Sequence, residues 1–199
     1  MAGAGASQED AAALLREAGA LLEGHFRLTS GKHSPAYVEK FRLLERPRQV
    51  GALCQMIAEH FRGLSPQVVV GPTTGGIIIS YEVARLLGLR GIFAEKGEGG
   101  GRSFQRGFRL GQGERALIVD DVLTTGGSVR EVIEAVRDAG GEPLGVGVLV
   151  DRTGGKTGFG QTPARLSGLP FFACLTLELP AYEPASCPLC AKGVPLAET

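Results

Sequence analysis

The run ALIVDDVLTTGGSVREVIEAVRDAG, residues 116–140, decides how this chain folds. Ala116–Val119 reads as a continuously apolar strand that ends on two adjacent acids, Asp120 and Asp121. A turn of hydroxyl and glycine residues follows, and a helix is predicted to start at about Ser128. A strand that is apolar throughout belongs in a parallel sheet covered by helices on both faces. Working outward, VVVG (68–71), GIFAE (91–95) and LGVGVLV (144–150) are further short β-rich runs. Helix-length stretches at 77–88 and 128–139 separate the first two runs and the last two. Strand and helix therefore alternate, which specifies the α/β class. FFACLTL (171–177) is expected to add another strand.

Toward the N-terminus, residues 8–24 read as a helix, with Ser7 as N-cap and Glu9 and Asp10 in its first turn. TSGKHSP (29–35) is turn-rich, and AYVEKF (36–41) is strand-like. An amphipathic helix is predicted over 47–62, opened by Pro47. The residues from about 180 onward read as a tail. With no repeat and no splitting linker, a single domain over 1–199 is expected. Its N-terminal helix and hood elements would span 1–45, its core 46–155, and a C-terminal strand and tail 156–199.

Composition narrows the function classes. Glycine makes up 31 of 199 residues, roughly twice the usual ~7%. Because 43% of the chain is hydrophobic, an ordered core forms, and the glycines are placed singly where backbone turns or approaches something closely. Basic and acidic residues balance at 21 each, which argues against a nucleic-acid partner held by overall basicity. No apolar run approaches the ~18 residues of a membrane span. The N-terminus has no positive leader region and carries Glu9 and Asp10, unlike a secretory signal. Cys54, Cys174, Cys187 and Cys190 do not make a disulfide framework in a chain of this size. A cytoplasmic location is expected.

The chemistry concentrates at the ends of the strands, where α/β sheets bind ligands. The turn Thr124-Thr125-Gly126-Gly127-Ser128 offers backbone N–H groups and hydroxyls to a phosphate at a helix N-terminus. Asp120 and Asp121, just upstream, suit sugar hydroxyls or a Mg²⁺ ion held through water, with no direct protein–metal ligand. A phosphate site next to a diol site suggests a ribose 5-phosphate. Two other glycine motifs fail. TGGKTG (153–158) lacks the first glycine of a Walker loop, because Val150 stands there, and GQGERA (111–116) precedes a strand rather than following one.

VDDVLTTGGS (119–128) resembles the 5-phosphoribosyl-1-diphosphate (PRPP) motif of type I phosphoribosyltransferases. FRLTSGKHSPAY (26–37), VVVGPTTGGIII (68–79), FAEKGEGGGRSFQRG (93–107) and GVLVDRTGG (147–155) follow in the order and spacing of the orotate phosphoribosyltransferase family. The resemblance implies a central, mostly parallel twisted sheet flanked by helices under a small hood built from both termini. It also implies transfer of the 5-phosphoribosyl group of PRPP to orotate, with Mg²⁺ as cofactor, in a homodimer. PRPP would be bound by Thr73, Thr74, Gly75, Lys96, Asp120, Asp121, Val122, Leu123, Thr124, Thr125, Gly126, Gly127 and Ser128. Orotate would be bound by Tyr37, Thr124 and Arg152. Lys96, Arg102 and Arg106, with Asp120 and Asp121, are the candidate catalytic residues.

Residues 96–109, glycine-dense and basic, are expected to form a mobile loop without helix or strand, closing over the diphosphate. Gly75 and Thr29 stand where many members of the family carry lysine. That departure keeps open transfer to another base, a purine or uracil, and a non-catalytic PRPP-sensing regulator. His25, His33 and His60 are assigned structural roles, and only His33 lies near a substrate loop. The lone pair Cys187-Pro188-Leu189-Cys190 is open between structural zinc, a redox pair or disulfide, and inert thiols. Zinc would need two more ligands, from Cys174, Cys54 or a second subunit.

Overall fold

A computed structural model describes residues 7–28, 30–97, 99–154 and 168–198. The N-terminal helix α1 (Gln8–Glu17) is capped as expected, Ser7 and Asp10 forming a reciprocal capping box. It is shorter than the predicted 8–24. Gly19 takes a left-handed φ of +65°, and the chain turns into strand β1 (Leu21–Arg27). Strand β2 (His33–Val38) pairs antiparallel with it. The strand-like run 36–41 is therefore corrected: it ends at Val38, and a short helix α2 (Lys40–Leu44) begins after Glu39, whose carboxylate accepts the Phe41 N–H. Helix α3 (Pro47–Arg62) matches the prediction.

From there strands and helices alternate: β3 (Val68–Pro72), α4 (Gly75–Leu87), β4 (Arg90–Lys96), β5 (Arg102–Ser103), β6 (Arg115–Leu123), α5 (Gly127–Asp138), β7 (Glu142–Asp151) and β8 (Phe171–Thr176). They form one sheet in the order β5-β4-β3-β6-β7-β8, parallel except for the edge strand β5. The period of two along the strands divides the core. Val69, Leu117, Val119 and Leu149 face one layer with α1, α3 and α4, whereas Val68, Val70, Ile118, Val146 and Val148 face the other with α5.

The close approach of α3 to β7 explains two glycines. A Cβ at Gly147 would stand 2.6 Å from Ile57 Cγ2, and one at Gly145 would stand 2.5 Å from Phe61 Cε1. Gly147→Ala is therefore expected to destabilise the protein by about 1–3 kcal/mol through overpacking. Urea unfolding reads this directly, and an unchanged midpoint would contradict the packing.

The residues beyond 180 are not a free tail. Tyr182 and His33 exchange both backbone hydrogen bonds at 2.8 Å. After a 3₁₀ turn, Pro184–Ser186, comes the short helix α6 (Pro188–Ala191). Strand β9 (Ala197–Glu198) then pairs parallel with β1, and Glu198 forms an ion pair with Arg27. The hood is thus a second sheet, β2-β1-β9, closed by the C-terminus. Its β1–β9 pairing joins residues more than 150 positions apart, which no local pattern announces. Among the described residues no helix is long and apolar enough to cross a membrane.

Candidate active site

The strand order reverses between β3 and β6: after β3 the chain adds β4 on one side, and later β6 on the other. Crevices at the carboxyl ends of such strands receive ligands. Here that crevice is a cavity of about 360 Å³ roofed by the hood. Tyr37, Thr73, Thr74, Gly75, Asp120, Asp121, Val122, Thr124, Ser128 and Arg152 all line it. A smaller hollow of about 50 Å³ lies beside it over the N-terminus of α5, bounded by Leu123, Thr125, Gly126 and Gly127 together with Asp120 and Thr124.

Each part has a local cause. Gly126 adopts φ +74° at the N-cap of α5, a conformation that disfavours any Cβ, and this turn leaves the first N–H groups of the helix facing the hollow. On the other loop the glycines serve contacts within the protein. A Cβ on Gly71 would lie 2.1 Å from the Gly76 carbonyl oxygen, and one on Gly75 would lie 1.7 Å from Asp121 Oδ2. The tight strand-to-helix turn and the carboxylate beside it exclude side chains there before any ligand binds. The peptide bond between Thr73 and Thr74 is cis.

Asp120 and Asp121 are both buried. Asp120 Oδ1 accepts the Asp121 N–H at 2.8 Å, and Asp121 Oδ1 accepts the Val122 N–H at 2.6 Å. Burial, and next the neighbouring Asp121 charge, push the Asp120 carboxyl up to about 7. Asp121 Oδ2 is held by Lys40 Nζ at 3.0 Å. Lys40 was missed by the motif reading, because 36–41 read as a strand and α2 turns its side chain onto the acid pair. The one signal for it was chemical: with no lysine at 75, two adjacent buried acids required a cation from elsewhere.

Arg152 follows β7, and its N–H donates to the Leu123 carbonyl at 2.9 Å. Its guanidinium lies 5.9 Å from the Tyr37 ring centroid, and its Nε is buried without a protein partner. Desolvation pulls its pKa below the usual range. Asp151, fully buried, accepts both the N–H and the hydroxyl of Thr153 and shapes the turn that presents Arg152. A buried fork of donors beside an aromatic face suits a flat anion.

The basic segment departs from expectation. Residues 96–109 were expected to hold no strand, yet Arg102–Ser103 pairs antiparallel with Glu95–Lys96. Gly100 and Gly101, at φ +82° and +70°, supply the turn between them. Arg102 is correspondingly not a free loop cation. Its side chain is only 3% exposed, with Nε 3.2 Å from Glu131. Its Nη1 donates to Thr73 Oγ1 at 3.0 Å and to the Ala94 carbonyl at 3.1 Å. Arg102 thus positions the Thr73–Thr74 turn from behind. Arg106 bonds Glu95 at 2.8 Å, and neither it nor Lys96 lines the cavity. Thr29 lies outside the described residues.

Comparisons with known proteins agree with this arrangement. The model of the phosphoribosyl transferase domain family matches residues 42–157. The orotate phosphoribosyltransferase of Desulforamulus reducens is 47% identical over 189 residues, covering 95% of this chain and 94% of its own. That of Pelotomaculum thermopropionicum is 48% identical over 189 residues, covering 95% of each chain. The crystal structure of orotate phosphoribosyltransferase from Aeropyrum pernix superposes with a TM-score of 0.66 at 29% identity, covering 84% of this chain and 95% of that one. With the switch-point cavity, the acid pair and the two glycine turns in place, this chain belongs to the orotate phosphoribosyltransferase family.

Proposed function

We propose that the chain transfers the 5-phosphoribosyl group of PRPP to orotate, giving orotidine 5′-monophosphate and diphosphate, a step of pyrimidine biosynthesis. The observation that carries this reading is the single cavity in which Asp120 and Asp121 face Arg152 and Tyr37. It joins a diol-binding acid pair to a cationic, aromatic-walled pocket for a planar carboxylate. The 5-phosphate sits on Thr124–Ser128 at the N-terminus of α5. Asp120 and Asp121 accept hydrogen bonds from the ribose hydroxyls, and the Thr73–Gly76 turn faces the diphosphate. Orotate lies between Arg152 and Tyr37.

As the bond from C1 to the diphosphate oxygen breaks, positive charge builds on the ribose ring and negative charge on the leaving group. The buried acids stabilise the first. Lys40, with Lys96 and Arg106 of the basic segment, stabilises the second, and closure over the bound substrates excludes water. Orotate attacks as a ready-made anion, so no general base is required. The residues also fit Mg²⁺: two adjacent carboxylates, one raised toward neutrality by burial and next by its neighbour, are the oxygen donors a hard cation takes through water. Bound with PRPP, Mg²⁺ would neutralise diphosphate charge. A homodimer, with the hairpin of each subunit serving the pair, completes the proposal.

PRPP-dependent loss of orotate absorbance tests the function. Consumption of adenine, xanthine or uracil with orotate untouched overturns it, as does PRPP binding with no base consumed. Within the site, Arg152→Ala is expected to raise the KM for orotate on the order of 100-fold, the loss of a charge-assisted fork worth about 3 kcal/mol. PRPP affinity, measured by calorimetry, should stay within about 2-fold. Equal loss of both affinities would remove Arg152 from the base pocket.

A further inference from the structure

Four residues that the transfer reaction does not use converge in the hood. His25 on β1, His33 on β2, and Cys187 and Cys190 around α6 each offer one ligand atom, and the four atoms lie within 4.8 Å of one another. Cys190 Sγ stands 3.2 Å from His33 Nδ1 and 3.7 Å from His25 Nε2. Cys187 Sγ stands 3.5 Å from His25 Nε2, and the two ring nitrogens are 2.9 Å apart. A tetrahedral zinc ion, with bonds of about 2.3 Å to sulfur and about 2.0 Å to nitrogen, sets its ligand atoms roughly 3.3–3.8 Å apart. The four separations above, 2.9–3.7 Å, overlap that range, and no pair exceeds 4.8 Å. All four cysteines are free thiols.

The tautomer of His25 agrees with ligation. His25 Nδ1 lies 2.8 Å from the Val194 carbonyl oxygen, which can only accept, so Nδ1 carries the proton. The lone pair of neutral His25 is thereby placed on Nε2, aimed into the cluster, and the Val194 carbonyl orients the ring as outer partners of zinc-bound histidines do. His25, His33 and Cys187 are buried, and Cys190 closes the site at the surface.

We infer that His25, His33, Cys187 and Cys190 bind one structural zinc ion that staples the C-terminal segment to the hood. Two thiolates and two imidazoles in a closed tetrahedron select zinc and leave no open position for chemistry. Binding releases the two thiol protons to solvent and changes no oxidation state. The two ligands missing from the sequence pattern are thus histidines. Cys54 and Cys174 are excluded as donors: both are buried in the main core, where Cys174 Sγ lies 3.3 Å from the Leu53 carbonyl oxygen. Because β2 leads directly to Tyr37 and Lys40, the ion would also hold the roof of the cavity.

The test is metal analysis of the full chain, purified without chelator or metal-affinity resin and with its thiols reduced. About one zinc per chain is expected, falling to below about a tenth in Cys190→Ser and in His25→Gln. Stripping the metal with a mercurial and chelator should lower Tm by roughly 5 °C or more, and zinc should restore it. Since a ligand variant can fail to fold, the wild-type chain is also stripped and titrated with Co²⁺. Intense tetrahedral ligand-field bands with thiolate-to-cobalt charge transfer are expected. Absence of both zinc and a cobalt spectrum, zinc retained by a Cys187→Ser, Cys190→Ser double variant, or a native Cys187–Cys190 disulfide in the intact mass would each overturn the assignment.

Discussion

Asp120→Asn is expected to abolish useful turnover while making the protein more stable. Activity should fall at least 10²–10³-fold, the usual cost of losing a preorganised group that faces developing charge. Stability moves the other way because the native fold resists ionising this carboxyl. Its folded pKa is raised to about 7 from the ordinary 3.8 of an aspartate. The folded chain therefore binds more protons than the unfolded chain between those values. Wild-type stability falls as pH rises through that window and levels off above it.

Asparagine keeps the oxygen that accepts the Asp121 N–H and removes the charge. The gain in unfolding free energy of Asp120→Asn over wild type should be near zero below about pH 4 and grow up to about pH 7. Its ceiling is about 4 kcal/mol, a figure that already contains the attraction of Lys40 and Arg102 for the ionised form. Thermal or urea unfolding across pH 4–8 reads it. A variant that is less stable than wild type at pH 7.5, or that turns over normally, would contradict the role of the acid pair.

Gly75→Ala should be nearly as damaging although it adds one methyl group. Its Cβ would fall 1.7 Å from Asp121 Oδ2 and 2.6 Å from Cγ. That carboxylate is anchored by the Val122 N–H and by Lys40, so either it rotates out of the cavity or the first turn of α4 retreats. Displacement of a reacting group by about 1 Å can cost 10²-fold, and the overpacking costs about 1–3 kcal/mol. Steady-state kinetics should show kcat/KM for PRPP down about 100-fold, with a lowered urea midpoint. The same geometry bars lysine from position 75 with Asp121 where it stands, and Lys40 supplies the charge from the opposite wall. Wild-type kinetics in Gly75→Ala would mean that the turn and the acid do not act as one unit.

How far the molecule was legible differs by part. The parallel sheet could be read because β3, β6 and β7 are apolar at consecutive positions, a pattern written within each segment. The acid pair and the Thr124–Ser128 turn could be read because they share one strand–turn–helix, β6 to α5, and the Gly71–Gly76 turn because it lies in another, β3 to α4. The hairpin at Arg102 was misread because glycine abundance says that a chain can turn, not whether the flanking residues then pair. The extent of α1 was misread because Leu21 and Leu22 continue a helical apolar pattern, while Gly19 and pairing with β2 override it.

Sequence alone determined the α/β alternation, the place of the acid pair and the glycine turns at the strand ends, and the opposed charges of the acid pair and the basic segment. All of these depend on neighbours within a turn or two. The tertiary structure alone decided which distant groups meet: Lys40 with Asp121, Arg102 with Thr73, Arg152 with Tyr37, and His25 and His33 with Cys187 and Cys190. The Arg102 contact follows from the β4–β5 pairing and the others from how the hood closes over the sheet, and packing across long separations leaves no periodic trace in the chain. At Gly71, Gly75, Gly145 and Gly147 the close approach that glycine permits is to the protein itself.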